Sequence, residues 1–259
     1  MIDEDRIRKD IVEVGRRMYN RQLIAGGDGN ISVLREDGFI MTTPTGMSKG
    51  FLEPEDIVVT DINGKKVKGR KEPSSELLMH LACYRNRPDV RAVVHAHPQT
   101  CTGFAVAGIP LDKALLAEVV VTFGCIPIAP YGTPSTEELA TSVDDYIKRH
   151  DALLLANHGA LTVGNELYAT YFKMETIEHF AKINLVARLL GKENLLSAQQ
   201  VSRLASLRSR YGLTGPDPFS EGCPIPRESL AGGDDKVTLT RSELVQLISD
   251  AVQSVVGGE

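Results

Sequence analysis

The chain has 259 residues, of which 42% are hydrophobic, with 29 basic against 34 acidic side chains and a formal charge of −5. That length suits one large domain, or one domain with a tail, and the apolar share fills a substantial core. A negative balance without basic stripes or interleaved aromatics excludes a nucleic-acid surface. No apolar run reaches the ~20 residues of a bilayer span. Met1 to Arg6 lacks the apolar stretch of a secretion signal, so a soluble cytoplasmic protein with no membrane partner is expected. Cys83, Cys101, Cys125 and Cys223 show no C-x-x-C spacing and are expected as reduced thiols, the first three in the core.

Apolar residues at Ile7, Ile11, Val14, Met18 and Leu23 recur with the helical period, and Gly26-Gly27-Asp28-Gly29 ends that helix. Strands are expected at 31–34, 39–43 and 57–60, then a hairpin turn at Asn63-Gly64 whose flanking lysines read as a solvated face. Ser74-Ser75-Glu76 opens a helix through Leu77, Leu78, Leu81 and Tyr84, with a serine as N-cap. A strand over 90–94, a helix over 99–106, a strand near 126–128, a helix over 135–150 and strands at 152–155 and 161–163 follow. Helical patterns then cover 167–190 and 198–211, the second stopped by Gly212. Strands alternating with helices, with hairpin turns among the early strands, give an α/β domain whose sheet is largely antiparallel.

The stretch 212–235 is rich in Pro, Gly, Ser and Asp and reads as a linker. Thr240 or Ser242 then caps a short amphipathic helix through Leu244, Leu247, Ile248, Val252 and Val255. The expected division is therefore a main domain over 1–212 and an extension over 213–259.

Chemistry concentrates around His95 and His97, at the end of the strand Val90-Arg91-Ala92-Val93-Val94. Residues two apart on a strand share a face, so both imidazoles can converge on one cation. Catalytic zinc takes three protein ligands and leaves a position open, and His158, following the apolar strand 152–155, is the third candidate. His80, His150 and His179 lie within helical patterns and read as structural. Ser74 and Ser75, before Glu76 at a helix start, offer N–H and hydroxyl donors that suit a phosphate. Thr43-Pro44-Thr45-Gly46 and the glycine-rich loop before Asn30 add donors from backbone that can approach a ligand closely. Together these segments outline a site for a phosphorylated, oxygen-rich small molecule.

The ordered motifs GGDGNISV, TPTG, EPSSE, VVHAHP and ANHGAL resemble the class II aldolase/adducin family, most closely its L-fuculose-phosphate aldolase branch, over about residues 5–212. The resemblance implies a class II aldolase-like α/β fold, with a central, mostly antiparallel sheet flanked by helices on both sides. It also implies a C4 homotetramer with active sites at subunit interfaces. By matching position, His95, His97 and His158 would bind zinc, with cobalt, iron or manganese as other occupants. Glu76 would be the acid/base residue, Asn30, Thr45, Gly46, Ser74 and Ser75 would hold the phosphate, and Tyr211 would help to close the site.

The implied reaction is reversible cleavage of a ketose 1-phosphate to dihydroxyacetone phosphate and an aldehyde through a metal-stabilised enediolate. Substrate types are L-fuculose 1-phosphate, 5-deoxyribulose 1-phosphate and methylthioribulose 1-phosphate. The same family contains pentulose-phosphate 4-epimerases, methylthioribulose 1-phosphate dehydratases and 3-oxo-acid phosphate decarboxylases, and its epimerases carry Asp where this chain has Glu76. Adducin-like domains keep the fold as a structural module without metal; three histidines together with Glu76 count against that reading. Three departures from the aldolase pattern stand out. Leu115-Leu116-Ala117-Glu118 lacks the family's catalytic tyrosine, Pro134 replaces a rim aromatic, and 47 residues follow Gly212.

Overall fold

The first helix, α1 (Glu4–Asn20), begins at Asp3, whose carboxylate accepts from the Asp5 backbone N–H at 3.2 Å. In the computed structural model, residues 3–211 and 213 are described. Four strands follow: β1 (Asn30–Leu34), β2 (Ile40–Thr42), β3 (Val58–Thr60) and β4 (Lys66–Lys68). Next come α2 (Leu77–Asn86), β5 (Ala92–Ala96), α3 (Gln99–Val106), α4 (Ala117–Phe123), β6 (Ile128–Ala129) and α5 (Glu137–Ile147). The hairpin β7 (Ala152–Leu155) and β8 (Gly159–Gly164), then α6 (Leu167–Leu189), α7 (Ala198–Ser206) and a single turn at Arg208–Tyr211 complete the order.

The strands form one sheet in the order β4-β3-β2-β1-β5-β8-β7-β6. Every pairing is antiparallel except β6 with β7. Period-two alternation divides the core. Ala92, Val94 and Ala96 of β5 pack with Ile11 of α1, Phe104 of α3 and Tyr171 of α6. Val93 packs on the opposite face with Leu81 of α2 and Val143 of α5. Helices therefore cover both faces, and the central strands read as continuous apolar runs because neither side meets water. No helix among the described residues is long and apolar enough to cross a membrane.

A buried polar network fixes α2 on the sheet. Ser32 Oγ lies 2.6 Å from His80 Nδ1 and 2.7 Å from the Tyr84 hydroxyl. Burial lowers the His80 pKa to about 4, with the Glu76 charge opposing it, so this ring is a neutral core group. His150 is buried likewise, and His179 is exposed on α6.

Several expectations are corrected. Helix α4 is absent from the periodicity, because Val119-Val120-Val121 reads as a β-branched run, yet Val119, Val120 and Phe123 are buried in a helix. The strand near 126–128 shrinks to Ile128–Ala129, and Ile126 instead bridges Leu111. At α2 the N-cap position belongs to Glu76 rather than to a serine; Ser74 Oγ accepts from the Glu76 N–H at 3.3 Å. Cys83 and Cys101 are free and buried, but Cys125 is disulfide-bonded instead of reduced. The boundary at Gly212, Cys223 and the amphipathic helix expected over 240–255 lie outside the described residues.

Candidate active site

Strand register assembles the site. His95 is the penultimate residue of β5 and pairs across β1 with Asn30 and across β8 with Leu161. It shares the sheet face of Val93, the face covered by α2, and so looks toward Glu76 at the start of that helix. His97 lies just beyond the strand end. The tight β7–β8 connection, with Asn157 at φ 55°, carries His158 back beside both rings. Centroids of the three imidazoles lie 4.7 to 5.0 Å apart, and one nitrogen from each falls within 4.8 Å of the other two.

Two glycines make room for this cluster. A Cβ on Gly159 would sit 2.5 Å from the Ala96 carbonyl oxygen and 2.6 Å from His97 Cδ2. Gly29, at φ +70°, would place one 2.7 Å from the His95 carbonyl oxygen.

The donor chemistry fits a divalent cation. His95 Nδ1–H donates to the Ala160 carbonyl at 2.9 Å, which leaves the Nε2 lone pair free and fixes the ring. That Nε2 stands 3.1 Å from His97 Nε2. Two nitrogens each about 2.0 to 2.1 Å from one tetrahedral zinc lie roughly 3.3 Å apart, so the pair needs little adjustment. His97 Nδ1 faces Asp28 Oδ2 at 3.4 Å, the partner on the outer ring nitrogen that metal-binding histidines commonly have. Burial, opposed by Glu76 and reinforced by the neighbouring imidazoles, holds the His95 pKa well below its usual value. Burial and His158 lower that of His97. Both rings are then neutral, the form that coordinates metal.

Glu76 joins them. Its Oε2 accepts from Asn30 Nδ2 at 2.8 Å and lies 3.4 Å from His95 Nε2, while its Oε1 is 3.1 Å from His158 Nε2 without a well-aligned hydrogen bond. Burial acts to raise its pKa, but His158, His95 and the Asn30 amide outweigh that and hold the carboxyl well below the ordinary range.

A second loop system completes the cavity. Thr45 N–H donates to the Glu72 carbonyl and Ser74 N–H to the Thr43 carbonyl, both at 3.1 Å, and Pro44 bridges Pro73. These bonds lay Thr45-Gly46 beside Ser74-Ser75. The cavity, about 300 Å³, is lined by Asn30, Thr45, Gly46, Ser74, Ser75, Glu76, His97 and His158, together with Pro134 and Ser135 at its other rim. Buried His95 stands directly behind His97.

One cavity thus gathers almost every residue expected at the site. Tyr211 is not among its lining residues: it is 67% exposed and faces Ala117, Val121 and Leu207. Leu115 and Leu116 pack half-buried against the core rather than on the cavity wall. Sequence reasoning passed over Asp28 as a binding group and missed Lys49, which also lines the cavity. A signal for Lys49 existed in Gly15, a glycine inside an amphipathic helix where a Cβ would come within 2.6 Å of the Lys49 carbonyl oxygen.

The sequence profile of the Class II Aldolase and Adducin N-terminal domain matches residues 9–185. The chain belongs to the class II aldolase/adducin family. Within it, an L-fuculose phosphate aldolase of Methanococcus vannielii is 40% identical over 190 residues, covering 71% of this chain and 98% of the relative. A 5-deoxy-D-ribulose 1-phosphate aldolase of Bacillus thuringiensis serovar kurstaki is 34% identical over 208 residues, covering 79% and 96%. A 3-oxo-tetronate 4-phosphate decarboxylase of Pectobacterium atrosepticum is 33% identical over 208 residues, covering 78% and 94%. The solved structure of an L-fuculose 1-phosphate aldolase superposes with a TM-score of 0.72 at 32% identity, covering 77% of this chain and 94% of that one. The class II aldolase fold expected from the motifs is the one observed.

Proposed function

We propose that this chain is a metal-dependent lyase that reversibly cleaves a ketose 1-phosphate into dihydroxyacetone phosphate and an aldehyde. One observation carries the reading: three imidazoles converge beside a half-buried carboxylate in the same cavity as the 45–46 and 74–75 donor loops. Relatives named for L-fuculose phosphate and 5-deoxy-D-ribulose 1-phosphate support this substrate class.

A divalent cation, zinc in the first instance, held by His95, His97 and His158, supplies a Lewis acid for negative charge developing on the substrate oxygens. The chain's own residues do the rest. Thr45, Gly46, Ser74 and Ser75 surround the phosphate with backbone and hydroxyl donors, and Asn30 aligns Glu76 through Oε2. Oε1, which meets His158 Nε2 at 3.1 Å without an aligned hydrogen bond, is the oxygen assigned to take or return the proton at C3, the carbon that becomes the hydroxymethyl group of dihydroxyacetone phosphate. Pro134 and Ser135 border the aldehyde end. The proposed active unit is a cytoplasmic homotetramer with sites at subunit interfaces, and Tyr211 would close a site only across such an interface.

The test is incubation of zinc-loaded protein with a panel of ketose 1-phosphates while dihydroxyacetone phosphate release is followed. Release from an L-fuculose or 5-deoxyribulose type substrate is expected. No release, with loss of carbon dioxide from a 3-oxo-tetronate 4-phosphate, would replace the aldolase reading by the decarboxylase one that the Pectobacterium relative represents.

A further inference from the structure

Lys49 is a lysine whose ammonium is unusually placed. It is 2% exposed, and it begins the short turn Lys49–Phe51 that follows the TPTG loop. Its backbone is wedged against Gly15 of α1, so the base of the side chain is rigidly held. The ammonium donates to the Gly27 carbonyl. Among the described residues it has no other hydrogen bond and no carboxylate at ion-pairing distance. Asp28 and Glu76, the carboxylates whose charge it feels, are turned to His97 and to His95 and His158 respectively.

A protonated lysine has three donors, and burying a cation without a counter-ion is costly. The position of this one explains the cost. Gly27 adjoins Gly46, since a Cβ on Gly27 would lie 3.8 Å from the Gly46 carbonyl carbon. Lys49 therefore stands at the TPTG end of the cavity, where every other donor expected for a phosphate is neutral: Asn30, Thr45, Gly46, Ser74 and Ser75. Burial lowers its pKa to about 8, opposed by Asp28 and Glu76, which leaves it mostly charged at pH 7.

We propose that Lys49 is the cationic contact of the phosphate subsite, selecting a phosphate dianion over an uncharged group at that end of the substrate. The inference rests on the reading that the 45–46 and 74–75 loops hold phosphate. The dianion supplies the counter-charge that the protein withholds, and the spare ammonium donors supply charge-assisted hydrogen bonds.

Calorimetric titration of the zinc-loaded full chain with inorganic phosphate tests the assignment. Lys49→Met is expected to weaken binding about 10- to 100-fold, the loss of one charge-assisted hydrogen bond. A second measurement needs no variant. Trace acetylation of the unaltered protein, read by peptide mass spectrometry, should label Lys49 several-fold more slowly with saturating phosphate, while Lys148 on the surface is labelled at an unchanged rate. Phosphate binding by wild type with equal affinity in Lys49→Met, or with no protection of Lys49, overturns the role of Lys49 and leaves the phosphate site standing. Absence of any phosphate binding by wild type overturns both.

Discussion

Replacing Gly159 by alanine tests the proposed metal site through packing alone, with no candidate ligand removed. The new methyl would meet the Ala96 carbonyl oxygen at 2.5 Å, His97 Cδ2 at 2.6 Å and His95 Cε1 at 3.3 Å. Ordinary carbon contacts begin near 3.5 Å, so the β5–β8 pair or the His97 ring must yield by nearly 1 Å. The ring is the softer element, and metal–ligand distances tolerate only about 0.2 Å. Zinc affinity, measured by competition with a fluorescent chelator, is expected to fall about 10- to 100-fold, as it does when the supports of metal ligands are disturbed. Overpacking costs a further ~1–3 kcal/mol in the metal-free protein, a fall in Tm of about 2 to 12 °C. Gly103→Ala in α3 is the control, because a Cβ there meets nothing within 4 Å, and it should leave zinc affinity unchanged. Wild-type zinc affinity in folded Gly159→Ala would refute the claim that these rings form the cage.

Three further outcomes are expected. Glu76→Gln should keep its zinc, yet slow deuterium exchange into dihydroxyacetone phosphate by about 10²- to 10⁴-fold; unchanged exchange removes Glu76 from the proton-transfer role. Chelation should abolish activity and lower Tm, since a ligand at a thousand times its Kd contributes about 4 kcal/mol to stability; a chelator-insensitive protein with an unmoved Tm favours a structural module. Lys49 titrates at about 8 when folded against an ordinary 10.5, so between those pH values the unfolded chain binds the proton that the folded chain has released. Stability therefore gains with pH across that window, and Lys49→Met should lose ground to wild type from pH 8 to 10.5 in urea unfolding; a pH-independent difference contradicts the shift.

Much of the site was legible because its signals are local. His95 and His97 follow from strand period, and His158 from its place after an apolar strand. The 45–46 and 74–75 loops, which line the same cavity, follow from Gly and Ser residues next to element ends. What was not legible is long-range. Register opposite His95 brings Asn30 to the same end of the sheet, and its amide then aligns Glu76; pairing of 43–45 with 72–74 is likewise a tertiary event. Lys49 escaped notice because an isolated lysine ordinarily lies in water, and its burial depends on a contact with Gly15, 34 residues earlier. Helix α4 shows tertiary packing overriding the strand preference of three consecutive valines.

Pro134 and Ser135 reach the cavity from the connection that follows β6, a two-residue edge strand, and Ser135 takes a left-handed φ of 65°. The histidines and Asn30, by contrast, are tied to the β1–β5–β8 ladder, and Glu76 to a helix that Ser32, His80 and Tyr84 lock onto β1. The cavity rim at 134–135 and the histidine cluster proposed to hold the cation thereby rest on separate mechanical supports. Under the proposed aldolase reading, mutations in the 130s would retune which aldehyde is admitted while the ladder keeps its alignment, so new specificities would be reached by short steps at one peripheral bend.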